Sequence, residues 1–223
     1  MAFTVPSNYN QNQSASAATV SVAIAQAQAA GDTIVAFVAC GTGSAAVPTL
    51  SDTELNNYGS AVGSIVDLGN NIVSYVFVVT NAKAAAASAN TVQVNWGGTV
   101  FEPEIVVIPI KGANGTDGAN FNDSVGTSIS TSLTTIAAGD LLIAYAYSTG
   151  GGFVNNTGGA GWTQLGVITP VLESYIQYTS TAGVPAGPYT ATCDASGFNL
   201  NAQGIVALKA AGGGISVPFW AAP

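Results

Sequence analysis

The stretch Ala29-Ala30-Gly31-Asp32-Thr33-Ile34-Val35-Ala36-Phe37-Val38 decides the fold, because it occurs twice. It returns as Ala137-Ala138-Gly139-Asp140-Leu141-Leu142-Ile143-Ala144-Tyr145-Ala146. In both copies a Gly-Asp pair precedes a short apolar run. Glycine supplies positive φ and aspartate bonds its local backbone, so the pair predicts a tight turn. The apolar run predicts a strand buried on both faces.

Outward from these two anchors the chain keeps matching itself. Ser74-Tyr75-Val76 pairs with Ser174-Tyr175-Ile176, and Thr91-Val92-Gln93-Val94 with Tyr189-Thr190-Ala191-Thr192. Each half closes on an apolar strand ending in lysine, at Lys111 and Lys209. The offset stays between 98 and 108 residues, the mark of an internal repeat. Within each half the period is two, as in Thr19-Val20-Ser21-Val22-Ala23-Ile24. Strands are expected near 19–24, 33–39, 73–79, 91–96 and 105–110, then near 141–147, 162–168, 172–179, 189–193 and 203–209. Short strands at this spacing predict an all-β, antiparallel β-sandwich built from two pseudo-repeats. The expected organisation is an N-terminal arm at 1–16 and a double unit at 17–211. Within the unit, pseudo-repeats 17–113 and 124–211 are joined by a connector at 114–123. An apolar tail follows at 212–223. One core shared by both halves is favoured over two tandem sandwiches.

Composition narrows the function. Only 6% of the 223 residues are charged, against about 25% in an average soluble domain. There are 11 acidic residues, three lysines, no arginine and no histidine, for a net charge of −8. A Ser-His-Asp triad, an imidazole metal site and an arginine clamp are therefore excluded. Three lysines cannot neutralise a row of phosphates, so nucleic acid is not an expected partner. No apolar run nears the ~20 residues of a membrane helix, and no membrane insertion is expected. The N-terminus has neither a basic nor an apolar signal region, so no signal peptide is expected. Cys40 and Cys193 are expected as two buried thiols.

Several residue groups invite a chemical reading. Glu102 and Glu104, like Asp52 and Glu54, are two apart and would share one strand face, the spacing of a carboxylate pair for glycosidase chemistry. The favoured reading is a charged sheet edge that discourages edge-to-edge pairing. Tyr58, Trp96 and Trp162 are candidate glycan-facing aromatics. Asn114, Asp117, Asn120 and Asp123 form an oxygen-rich stretch that a Ca²⁺ ion could use, but Val125 stands where an EF-hand needs glutamate. A plain connector loop is favoured there, so no metal and no cofactor are expected. Phe3 and Tyr9 near one end, and Ile215, Val217, Phe219 and Trp220 near the other, are candidate assembly contacts, since aromatics dominate interface hot spots.

The run Ala-Gly-Asp plus apolar strand, then Ser51-Asp52…Asn56-Asn57-Tyr58 or Gly161-Trp162-Thr163, then an aromatic strand and a Tyr-Thr strand, resembles a known unit. It is similar to a β-sandwich double unit of tailed-phage virion proteins and bacterial surface or secreted proteins, over about Ala18 to Ala211. The resemblance implies a jelly-roll or immunoglobulin-like scaffold with which no catalytic residue travels. Together with the composition, it leads to a non-enzymatic structural protein on a virion surface, as capsid decoration, fibre or tail component. Such a protein would dock on copies of itself or on other virion or surface proteins. The alternative is an extracellular or cell-surface, adhesin-like carbohydrate-binding module.

Overall fold

The computed structural model describes residues 2–41, 46–67, 69–149, 153–155, 161–168 and 173–212, and among them every regular element is a strand. In chain order these are β1 (Asn10–Gln13), β2 (Ser16–Ala23), β3 (Thr33–Cys40), β4 (Thr49–Asp52), β5 (Gly63–Asp67), β6 (Ile72–Val79) and β7 (Thr91–Phe101). Then come β8 (Glu104–Ile110), β9 (Ala113–Thr135), β10 (Leu141–Thr149), β11 (Phe153–Asn155), β12 (Thr163–Ile168), β13 (Glu173–Tyr178) and β14 (Gly187–Ala210). Pairing is antiparallel in three sheets: β1-β8-β3-β6-β5, β2-β7-β4, and β11-β14-β10-β13-β12 with β9 on β14. The all-β antiparallel architecture expected from the sequence is the one observed.

The repeated Gly-Asp stretches occupy equivalent places. β3 lies between β6 and β8, and β10 between β13 and β14. Ahead of each, the glycine takes the left-handed backbone that L side chains avoid, φ 92° at Gly31 and 96° at Gly139. Each turn is then tied to a later segment by a reciprocal backbone pair. Gly31 donates to Ala82 while Ala82 donates to Asp32; Gly139 donates to Val184 while Val184 donates to Asp140.

Every residue of β3 is buried, and its alternation sorts the side chains into two cores. Ile34, Ala36, Val38 and Cys40 face the β2-β7-β4 sheet, with Val22, Val94, Tyr75, Phe77 and Trp96. Val35, Phe37 and Ala39 face the other way, onto Leu141, Ile143, Tyr145, Ile176, Val206 and Leu208 of the second half. One apolar core thus contains side chains from both halves. Phe37 stacks on Tyr145 across it at 5.1 Å, an arrangement that contributes about 0.5–1.5 kcal/mol beyond burial.

β9 and β14 form one long ribbon, paired from Ala113↔Ala210 to Thr135↔Gly187, with register shifts between Asp194 and Asn199 and again between Ala207 and Ala210. The ribbon doubles over near Gly126 and Asn199. Asn120 and Asn122 donate to the carbonyls of Ser132 and Ser130, residues of the same strand on the far side of the bend. Its inner half extends the sheet facing β3. Its outer half lays Leu133, Tyr189 and Ala191 on Leu142 and Ala144.

Two expectations are corrected. The stretch 114–123 is not a loop but strand, half of β9, whose backbone groups are satisfied by β14. Its Asn, Gly and Asp content hid it, because pairing rather than apolar alternation holds it extended. The N-terminal segment does not stand free either. Phe3 is buried in the shared core, Tyr9 packs against that core, and β1 is hydrogen-bonded to β8.

Candidate functional site

Glu104 opens β8 opposite Ala39, on the face turned to the second half. It is fully buried between the halves and meets hydroxyls rather than a cation. Ser174 donates to Oε2 at 2.7 Å and Tyr145 to Oε1 at 3.3 Å. Burial raises its carboxyl from 4.5 to about 7, against the opposing pull of those two hydrogen bonds. Its partner in the sequence reading, Glu102, lies outside the strand in a left-handed turn, φ 50°, where its carbonyl accepts from the Tyr147 hydroxyl. The two carboxylates therefore do not share an open strand face. The spacing was read correctly, but the strand begins only after Pro103.

Asp52 ends β4 and organises the loop that follows. Its carboxylate accepts from the Asn56 backbone at 2.9 Å, the Asn56 amide at 2.7 Å, the Tyr58 hydroxyl at 3.1 Å and the Asn90 amide at 3.0 Å. Burial opposes its ionisation, but the bonds from Asn56, Asn90 and Tyr58 outweigh it and hold the carboxyl below its ordinary value. Tyr58 is buried in this arrangement, and its phenol is pushed up by burial and by the Asp52 charge. Trp96 is buried completely, 6.4 Å from the Tyr75 ring. Neither Tyr58 nor Trp96 faces a glycan; both are core.

Trp162 differs. It is half-buried, donates from Nε1 to the Thr190 carbonyl, and borders an open hollow of about 380 Å³ with Thr163, Tyr178, Ser180 and Thr181. The structure does not bring the three glycan candidates together.

The oxygen-rich stretch is spent on holding strands. Asp117 pairs with Lys209 at 3.3 Å and accepts from the backbones of Ile136 and Ala137, which keep it below the ordinary value. Asp140 lies beside Asp117; burial, then this neighbouring carboxyl, raise it to about 6 against the pull of Lys209. Asp123 lies beside Asp67 and is raised by burial and by that neighbour. Asn120 is committed to Ser132, and Asn114 borders a hollow beside Asp140 and Lys209. Among the described residues no group of three or more His, Cys, Asp or Glu could hold a metal ion. The two acid pairs were invisible in the sequence, since their members are 23 and 56 residues apart and meet only through the β9–β14 ribbon. Cys40 and Cys193 are buried and not joined in a disulfide. Ile215, Val217, Phe219 and Trp220 lie outside the described residues.

No family model and no curated protein matches the chain. Among solved structures, it is similar to the major capsid protein from bacteriophage PM2, with 10% identity over 95% of this chain and 99% of that one, TM-score 0.25. The PBSX exported protein XepA gives 10% identity over 92% and 84%, TM-score 0.19. A turret protein in Sulfolobus turreted icosahedral virus gives 12% over 91% and 97%, TM-score 0.16. At TM-scores this low the likeness defines neither a shared fold nor a shared role.

Proposed function

We propose that this chain is a non-enzymatic structural subunit of a virion surface, acting by docking on copies of itself or on neighbouring surface proteins. The observation that carries the reading is where the acidic groups go. The buried Glu104, the Asp52 loop and Asp117, which holds Lys209 and the Ile136 and Ala137 backbones, all fasten strands or turns to one another. A scaffold whose polar groups hold its own layers together suits mechanical and packing duty. The surface assignment rests on the sequence resemblance to phage and bacterial-surface double units. With few ionisable groups, the contacts should depend weakly on salt. Light scattering of the full chain tests this. A particle heavier than the 22.1 kDa chain, unchanged by added salt, is expected; a monomer under all conditions contradicts it.

One observation favours a second reading, a glycan-binding module. The hollow at Trp162 combines an aromatic face with the hydroxyls of Thr163, Tyr178, Ser180 and Thr181. Retention on a glycan array that is lost in Trp162→Ala would establish it in place of the subunit reading.

A further inference from the structure

Residues 2–13 are bonded to both halves of the molecule. The Phe3 backbone donates to the Thr181 carbonyl of the second half at 2.8 Å, while Thr4 and Lys111 of the first half exchange backbone bonds of 3.0 and 3.2 Å. β1 then lies on β8, from Asn10↔Val107 to Gln13↔Glu104. The fit is built from both sides. Phe3 fills a place in the shared core, and Gly112 takes φ 82°, with the Ala2 carbonyl 2.9 Å from where a Cβ would stand. Asn10 is buried and commits its side-chain amide to the same groove. Its Nδ2 donates to Gln26 Oε1 and to the Val107 carbonyl, and its Oδ1 accepts from the Ala25 backbone.

This strap is joined to β2 by Ser14 and Ala15 alone, and in those two residues the chain passes from one sheet to another. The turn facing them is equally short. Ser14 donates to the Pro103 carbonyl, Glu102 donates to the Ala15 carbonyl, and Glu102 takes the left-handed φ of 50°. A hinge this short, bonded to a strained turn, favours exchange of the element it carries between copies. Exchange requires no new contact, since the groove that holds the strap in its own chain is the same groove in a neighbour. Residues 2–13 also contain no charged side chain, in keeping with contacts that respond weakly to salt.

We infer that the strap is the docking element between copies: in the assembly, residues 2–13 of one copy lie along β8 of a second copy, with Phe3 in that copy's core and Ser14–Ala15 as the hinge. The inference rests on the subunit reading and names the contact that joins the copies.

Thr4→Cys combined with Lys111→Cys tests it in the full chain, because both positions are exposed and stand opposite each other in the backbone pairing. Cys40 and Cys193 are buried, and each single variant controls for chance disulfides. After oxidation, or bridging by a short bismaleimide, the double variant is expected to run in a denaturing gel at twice the 22.1 kDa chain mass or more, and the single variants at one. Inserting Gly-Ser-Gly between Ser14 and Ala15 is a second arm. It relaxes the hinge and lets the strap fold back on its own chain, so sedimentation velocity should show loss of the associated species. Association that survives the insertion, with cross-links only within single chains, overturns this contact but leaves the subunit reading standing. A monomer at every concentration overturns both.

Discussion

Trp96, Tyr75 and Phe77 fill the space between β3 and the β2-β7-β4 sheet, with Val22, Val92 and Val94 around them. The corresponding space behind β10 is divided between two smaller clusters, one with Ile129, Phe153, Tyr175 and Cys193, the other with Leu142, Ala144, Ala191 and Ile205. It also takes in buried amides: Gln203 donates to the Cys193 sulfur at 3.3 Å, and Gln177 and Gln203 each keep an unpartnered side-chain oxygen. One layer is a single cluster around Trp96, the other two smaller clusters, the second of them packed against Leu133 of β9 and Tyr189 and Ala191 of β14. Two sheets with central strands placed alike, β3 between β6 and β8 and β10 between β13 and β14, are thus covered in different ways. The first layer has more to lose from a single truncation, because Trp96 heads the largest fully buried side chains among the described residues.

That difference sets the largest expected effect. Trp96→Ala should cost about 3–5 kcal/mol in denaturant unfolding, whereas Cys193→Ala should cost about 1. Trp96→Phe should be mild, since the buried indole N–H has no partner to give up. Equal losses at positions 96 and 193 would break the comparison.

The seam between the halves comes next. Glu104 has its carboxyl raised from 4.5 to about 7, so the stability it contributes is complete below pH 4.5 and lost as pH rises through 7. Asp140, raised to about 6, acts with the same sign. The shift at Glu104 corresponds to about 3 kcal/mol. Thermal unfolding at pH 5 and pH 8 should show this loss in the wild type and a much smaller one in Glu104→Gln, whose amide oxygen still accepts from Ser174. Two parallel pH profiles would mean that the seam is not where the proton is held.

Asp52→Ala leaves buried donors of Tyr58 and Asn90 without an acceptor and should cost about 2–3 kcal/mol. Asp32→Ala removes one turn bond, to the Ala29 backbone, and should cost about 1. The smallest change has the opposite sign. Leu55→Asn should gain about 0.5–1 kcal/mol by relieving the left-handed strain, read as a raised denaturation midpoint.

Much of the fold was legible because its central strands obey period two or are apolar throughout. β3, β6, β8 and β10 fall within a residue or two of their expected places. β9 was not legible, since a Gly-Asn-Asp-rich segment extended by pairing looks like a loop until β14 is beside it. The sites fared less well for the same reason. Burial of Trp96 and Tyr58 depends on which sheet covers them, and Glu104 becomes a seam residue only when the second half arrives. Asp140 was legible as a turn residue, yet its placement beside Asp117 depends on tertiary structure alone.

The central claim is that the two unequal halves form one structural unit through the core containing Phe37, Tyr145 and Glu104. Differential scanning calorimetry of the full chain at pH 5 tests it most directly. The account predicts a single transition whose calorimetric and van't Hoff enthalpies agree. Two separated transitions, one for each half, would contradict it.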